Sequence, residues 1–175
     1  VRIRVDKIPA AGARRTFGAD DAWALEAAAL ALEGRPTSLE GEITVAVPDK
    51  RRAVDVRVVA RTGVDRPCDR CGESVRKGVV TEETLRYLPA GSTDHGPSAD
   101  EEIELAEDDL DLGWYEDGSL VLADVLTEAL ALAVPSRTVC EDEAGCDART
   151  AALLEAAKPA LVGHPAFAAL QNLKN

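Results

Sequence analysis

Two cysteines two residues apart, in Arg66-Pro67-Cys68-Asp69-Arg70-Cys71-Gly72, constrain this chain more than any other stretch. The proline before the pair and the glycine after it make a compact turn that points both thiols at one atom. The chain has two other cysteines, Cys140 and Cys146, with 68 residues between the pairs. A tetrahedral zinc takes four soft ligands at about 2.3 Å, and a C-x-x-C turn supplies two of them. If all four thiols converge, the fold must carry the end of the chain back to this turn. Gly72 permits the turn, and Arg70 and backbone N–H groups can stabilise thiolates. The second pair is less regular: five residues separate its cysteines, and Glu141, Asp142, Glu143 and Asp147 surround it with negative charge. Three readings stay open here: a four-cysteine zinc site, a partial site with unpaired thiols, and a redox pair or disulfide. No helix start follows Cys68 to depress its pKa, which disfavours the redox reading.

Hydrophobic periodicity sets the elements. Val1 to Val5 alternates like a strand, and a polar turn containing Pro9, Gly12 and Gly18 follows. Asp20 or Asp21 caps a helix to about Glu33 carrying Trp23, Leu25, Ala28, Ala29 and Leu32, and Gly34-Arg35-Pro36 stops it. Leu39 to Val47 and Arg52 to Arg61 alternate as two strands around a hairpin at Pro48-Asp49-Lys50-Arg51. Val75 to Leu88 is one long strand or a pair, with a candidate bulge at Gly78. Leu122 to Val134 repeats apolar residues at helical spacing until Pro135. A shorter helix is expected around Ala148 to Lys158, and His164-Pro165 opens a last one lined by Phe167, Leu170 and Leu173. The expected fold is α+β: an antiparallel β-meander packed with an N-terminal helix and C-terminal helices, in a single domain over 1–175.

At 175 residues the chain can bury a real core, but aromatic residues are only 3%, so Leu, Val and Ala must build it. No apolar run approaches the ~20 residues of a bilayer span. The N-terminus lacks the apolar block of a signal peptide, so a cytosolic protein is expected, with cysteines reduced or metal-bound. The net charge of -12 is unevenly spread. Residues 1–90 hold 16 Lys/Arg against 14 Asp/Glu, and residues 91–175 hold 4 against 18. Such a balance argues against tight non-specific binding to nucleic acid, which needs many cations to displace counterions.

From Arg57 to Lys77, six basic residues face three acidic ones, so Arg66, Arg70, Arg76 and Lys77 beside the cysteine turn are candidate phosphate contacts. The blander reading is strand faces with counter-charges; no interleaved aromatics supply stacking for single-stranded RNA. Asp100 to Asp117 holds ten Asp/Glu in eighteen residues and no Lys or Arg. It reads as an edge strand and turn with a solvated acidic face, or as a surface for a basic partner centred on Glu107, Asp108, Asp109 and Asp111. No residue is assigned a catalytic role. His95 sits in a polar loop and His164 reads as an N-cap, and phosphate-binding glycine loops, HExxH and nucleophile elbows are absent.

Three stretches, in this order, resemble a known family. The first runs from Val54 to Arg61 into Pro67-Cys68-Asp69-Arg70-Cys71 and on through Val80 to Tyr87. The second is Leu120 to Pro135, a helix ending in Leu-Ala-Val-Pro ahead of a cysteine. The third is Pro165-Ala166-Phe167-Ala168-Ala169-Leu170-Gln171-Asn172-Leu173. Together they are similar to the YceD family, bacterial proteins named for accumulation of the large-subunit ribosomal RNA. The chain departs from the family's pattern in having only Cys140 and Cys146 where members commonly carry a cysteine-richer segment. His164 and Ala166 also stand where the closing motif has Asp and Arg.

The resemblance implies a non-enzymatic role in 23S rRNA processing or accumulation and large-subunit assembly, with 23S rRNA or its precursor as a partner. The cysteine pairs leave a structural Zn2+ as the candidate cofactor, with Cys68, Cys71, Cys140 and Cys146 as its ligands. The charge map adds a basic large-subunit ribosomal protein as a candidate partner. The alternative is a zinc- or thiol-dependent enzyme using the Cys68–Cys71 turn.

Overall fold

The computed structural model describes residues 1–48, 53–91 and 112–157. They form two compact units: Val1–Arg66 with Arg76–Ser136, and Pro67–Val75 with the described part of Arg137–Asn175.

In the first unit, five strands form one sheet in the order β2-β3-β4-β5-β6: Ala13–Gly18, Pro36–Ala46, Val54–Pro67, Ser74–Pro89 and Leu112–Tyr115. β2 and β3 are antiparallel, as are β3 and β4. β4 and β5 also run in opposite directions, since Asp55 pairs with Arg86 and Asp65 with Arg76 across them. β4 shows why these residues make a strand. Val54, Val56, Val58, Ala60, Thr62 and Val64 are buried on one face, while Arg57, Arg61 and Asp65 face water. That period of two is what a half-buried sheet demands.

The α+β reading holds, with a mixed rather than purely antiparallel sheet. The last edge strand, β6, lies parallel to β5, Arg86 opposite Leu112 and Leu88 opposite Trp114. The N-terminal strand stays outside this sheet: β1 (Arg2–Arg4) pairs antiparallel with β7 (Ser119–Val121). Val5–Lys7 turns into a short 3-10 segment. The stretch expected as a polar turn contains β2, whose residues are mostly exposed and bury only Phe17, so its alternation is almost invisible. β5 is one strand of 16 residues.

Two helices complete the core. α1 (Ala22–Leu32) buries Ala24, Ala27, Ala28 and Leu32, its small side chains permitting close approach. It stops at Glu33, which adopts a left-handed conformation (φ 50°), and the Gly34 N–H closes on the Ala29 carbonyl at 3.2 Å. Asp21 holds the capping position, but its carboxylate accepts the Gly18 N–H (3.0 Å) instead of a helix N–H. α2 (Leu122–Ala133) buries Leu122, Val125, Leu126, Ala129 and Leu130, the stripe its spacing predicts. The Thr127 hydroxyl of α2 lies 3.3 Å from the Ala27 carbonyl of α1, and the Thr81 hydroxyl of β5 donates to the Ala129 carbonyl at 3.0 Å. Leu32, Ile43, Val56, Val58, Leu126 and Leu130, all inaccessible to solvent, centre the core between sheet and helices.

The second unit contains the cysteine turn, the segment from Arg137, and α3 (Glu143–Ala157). α3 begins five residues earlier than its expected position, so Cys146 belongs to its first turn rather than preceding it. The hairpin at 49–51, His95, the acidic residues Glu107, Asp108, Asp109 and Asp111, and the helix expected from His164 lie outside the described residues.

Candidate metal centre

All four cysteines meet within the second unit. β4 delivers the chain to Cys68, whose N–H donates to the Glu73 carbonyl (2.7 Å), while the Gly72 N–H donates to the Cys68 carbonyl (2.8 Å). Gly72 adopts φ +78°, a left-handed conformation that glycine takes without strain, and this closes the loop. The segment before Cys140 is clamped to this turn. The Asp69 N–H donates to the Thr138 carbonyl (2.7 Å), and the Thr138 N–H donates back to the Asp69 carboxylate (2.5 Å).

The fourth cysteine arrives on a capped helix. The Asp142 carboxylate accepts the Gly145 N–H at 3.0 Å and its carbonyl accepts the Cys146 N–H at 3.0 Å, an N-cap that starts α3 there. A side chain at 145 would push the Asp142 carboxylate out of its capping position, so glycine suits the position beneath the cap. Arg70 pairs with Asp147, and the Thr150 hydroxyl lies 3.3 Å from the Arg70 carbonyl, docking α3 on the turn. Asp142 and Asp147, which in sequence seem to crowd the second pair with charge, thus have structural partners.

The four sulfurs lie within 4.8 Å of one another. Cys68 and Cys146 are 3.7 Å apart at Sγ, and Cys71 and Cys140 3.5 Å. Sulfurs about 2.3 Å from a central zinc stand about 3.8 Å apart in a tetrahedron, so the donor set fits that ion in number, softness and spacing. Three of the thiols are buried, Val75 packs against them, and all four cysteines are free rather than disulfide-bonded.

The surroundings divide the thiols. The Cys71 N–H draws the Cys68 thiol down to about 6, aided by the Arg70 N–H against the cost of burial. Arg149 lowers Cys71 through a hydrogen bond. Burial raises Cys140, and burial pushes Cys146 up to about 12. Sequence reasoning missed Arg149, whose guanidinium lies 3.4 Å from the Cys140 sulfur. Its signal is the i, i+3 relation to Cys146, visible only once the helix is known to begin before that cysteine.

The candidate RNA-binding residues fall in both units. Arg70 is in the cysteine turn; Arg66, Arg76 and Lys77 belong to the sheet. Arg66 pairs with Glu33 (3.4 Å), and Arg76 makes two hydrogen bonds to Asp65 (2.8 and 3.0 Å). Lys77 follows Arg76 in β5.

A five-stranded sheet backed by two helices, with a four-thiol turn closed by a third helix, defines a small α+β protein with a candidate structural metal centre. The chain belongs to the YceD family, described as large ribosomal RNA subunit accumulation protein YceD, whose match covers residues 56–174. That span includes all four cysteines. No curated protein and no solved structure matches the chain. No helix among the described residues is long and apolar enough to cross a membrane.

Proposed function

We propose that this protein promotes accumulation of the large-subunit ribosomal RNA by binding components of the assembling subunit in the cytoplasm, without catalysing a reaction. The YceD match over 56–174 carries this reading. The family's description supports a role in large-subunit rRNA accumulation; 23S rRNA or its precursor, and a basic large-subunit protein, are the partners proposed here.

The cysteine cluster supports a binding role over an enzymatic one. A site whose four ligands are all protein thiols leaves no open position for substrate, as a catalytic zinc requires. Bound zinc would neutralise thiolate charge and cross-link the turn to α3. Arg149 would offset the net negative charge that four thiolates leave on such a centre. Arg66, Arg76 and Lys77 are proposed to contact phosphate. The partners of Arg66 and Arg76 are surface carboxylates, and a phosphate backbone can displace such exposed pairs.

Sedimentation of native lysate, with co-migrating RNA and protein identified together, tests the reading. The protein is expected in fractions holding large-subunit precursors. Reversing Arg66, Arg76 and Lys77 to Glu should remove it from them; Arg70 is spared because its pair with Asp147 holds α3 in place. Unchanged sedimentation of the triple variant would refute the phosphate contact.

A further inference from the structure

A cavity of about 440 Å³ opens between β5, β6, β7 and α2. Its shape depends on two local features. Gly113 lies so close to the Tyr87 ring that any side chain there would displace it. Asp117 and Gly118, both at positive φ (51° and 63°), form the tight turn that folds β7 back beside β6.

The lining has an unusual chemistry. Among the described residues, Glu116, Asp117, Asp124 and Glu128 contribute four carboxylates, against Arg2 alone among the cations. Trp114 lies on the wall and is 44% exposed, though the chain has few aromatic residues to leave uncovered. Tyr87 is buried, and its hydroxyl donates to the Glu128 carboxylate at 2.6 Å, holding that side chain in place. An anionic ligand would meet net repulsion, and an apolar one would strand the carboxylates without water.

We propose that this cavity binds an arginine side chain presented by a basic protein segment. A guanidinium is planar, stacks on an indole face and forks onto carboxylates, so it satisfies the aromatic wall and the acidic wall together. Lysine offers a compact, strongly hydrated charge and exploits the indole less well. This locates a surface for the basic-protein partner of the proposed function and rests on that half of it. Its described carboxylates lie on the turn after β6 and on α2.

Calorimetric titration of the full chain with hexaarginine and hexalysine, at one fixed ionic strength, tests it. Hexaarginine is expected to bind several-fold more tightly than hexalysine. Asp124→Asn with Glu128→Gln should weaken it about tenfold, since the pocket loses two charges; glutamine can still accept the Tyr87 hydroxyl. Trp114→Ala, a change at an exposed side chain, should weaken it roughly fivefold. Removing two carboxylates elsewhere, Glu26→Gln with Glu40→Gln, should leave it unchanged. Equal affinity for both peptides, or equal losses in the pocket and control variants, would overturn the proposal. Peptide binding without precursor association would instead refute the ribosomal role, and the converse would refute only the pocket.

Discussion

Cys68 and Cys71 announce themselves by spacing alone, because the C-x-x-C turn is local and its proline and glycine complete the geometry. Arg149 and the capping role of Asp142 were not legible, since both depend on where α3 begins, and the helix signal around Cys146 is weak. The thiols carry a testable pH signature. In metal-free protein the Cys68 thiol titrates near 6, below the ordinary 9.0, because the Cys71 N–H favours its thiolate. Between those values the unfolded chain binds more protons at this site than the folded one, so stability rises with pH. The gain is complete above about 9 and disappears as pH falls through 6. Cys146, raised to about 12 by burial, acts oppositely: its contribution is present below 9.0 and lost as pH climbs toward 12. Urea titrations of chelator-treated protein, followed by helical circular dichroism, should show a midpoint rising from pH 6 to 9. Cys68→Ser should flatten that rise; an equal rise in the variant would place its origin elsewhere.

At the scale of elements, the strongest periodicities survive intact. The stripe on α2 and the alternation along β4 are buried where their spacing puts them, because each faces a core that rewards only one register. β2 stayed hidden for the opposite reason: Arg14, Arg15 and Thr16 are exposed, and a strand burying only Phe17 leaves no pattern. The parallel pairing of β6 is a tertiary choice that a four-residue strand cannot encode. Glycines separate packing from permissiveness. A Cβ at Gly41 in β3 would lie 2.5 Å from the Phe17 ring and 2.6 Å from the Val59 carbonyl of β4, and backbone cannot yield cheaply. Gly41→Ala should therefore destabilise the sheet by about 1–3 kcal/mol, as overpacked cores do. Gly78 in β5 has open space around its Cβ position, so Gly78→Ala should be neutral or mildly stabilising. Chemical denaturation of both variants checks the contrast, and equal losses would contradict it.

Across the whole molecule, the charge asymmetry acquires a partial structural meaning. In the first half, basic residues pair with carboxylates across strands, as Arg57 does with Glu82 (2.5 Å) and Arg86 with Asp55 (2.7 Å). The later acidic residues include four around the cavity beside Trp114. The cysteine pairs, 68 residues apart in sequence, form one cage, whose closure could not be read from the irregular second spacing alone. Among the described residues the core of the second unit is made largely of cysteine, and a bound metal would add to the apolar burial that holds it. Metal analysis of protein purified without chelator tests this most directly. One equivalent of zinc per chain is expected, falling toward zero in Cys140→Ser while the Trp23 and Trp114 fluorescence of the first unit stays native. A wild-type chain that is metal-free, with four thiols freely reactive in the folded state, would contradict a metal-built second unit.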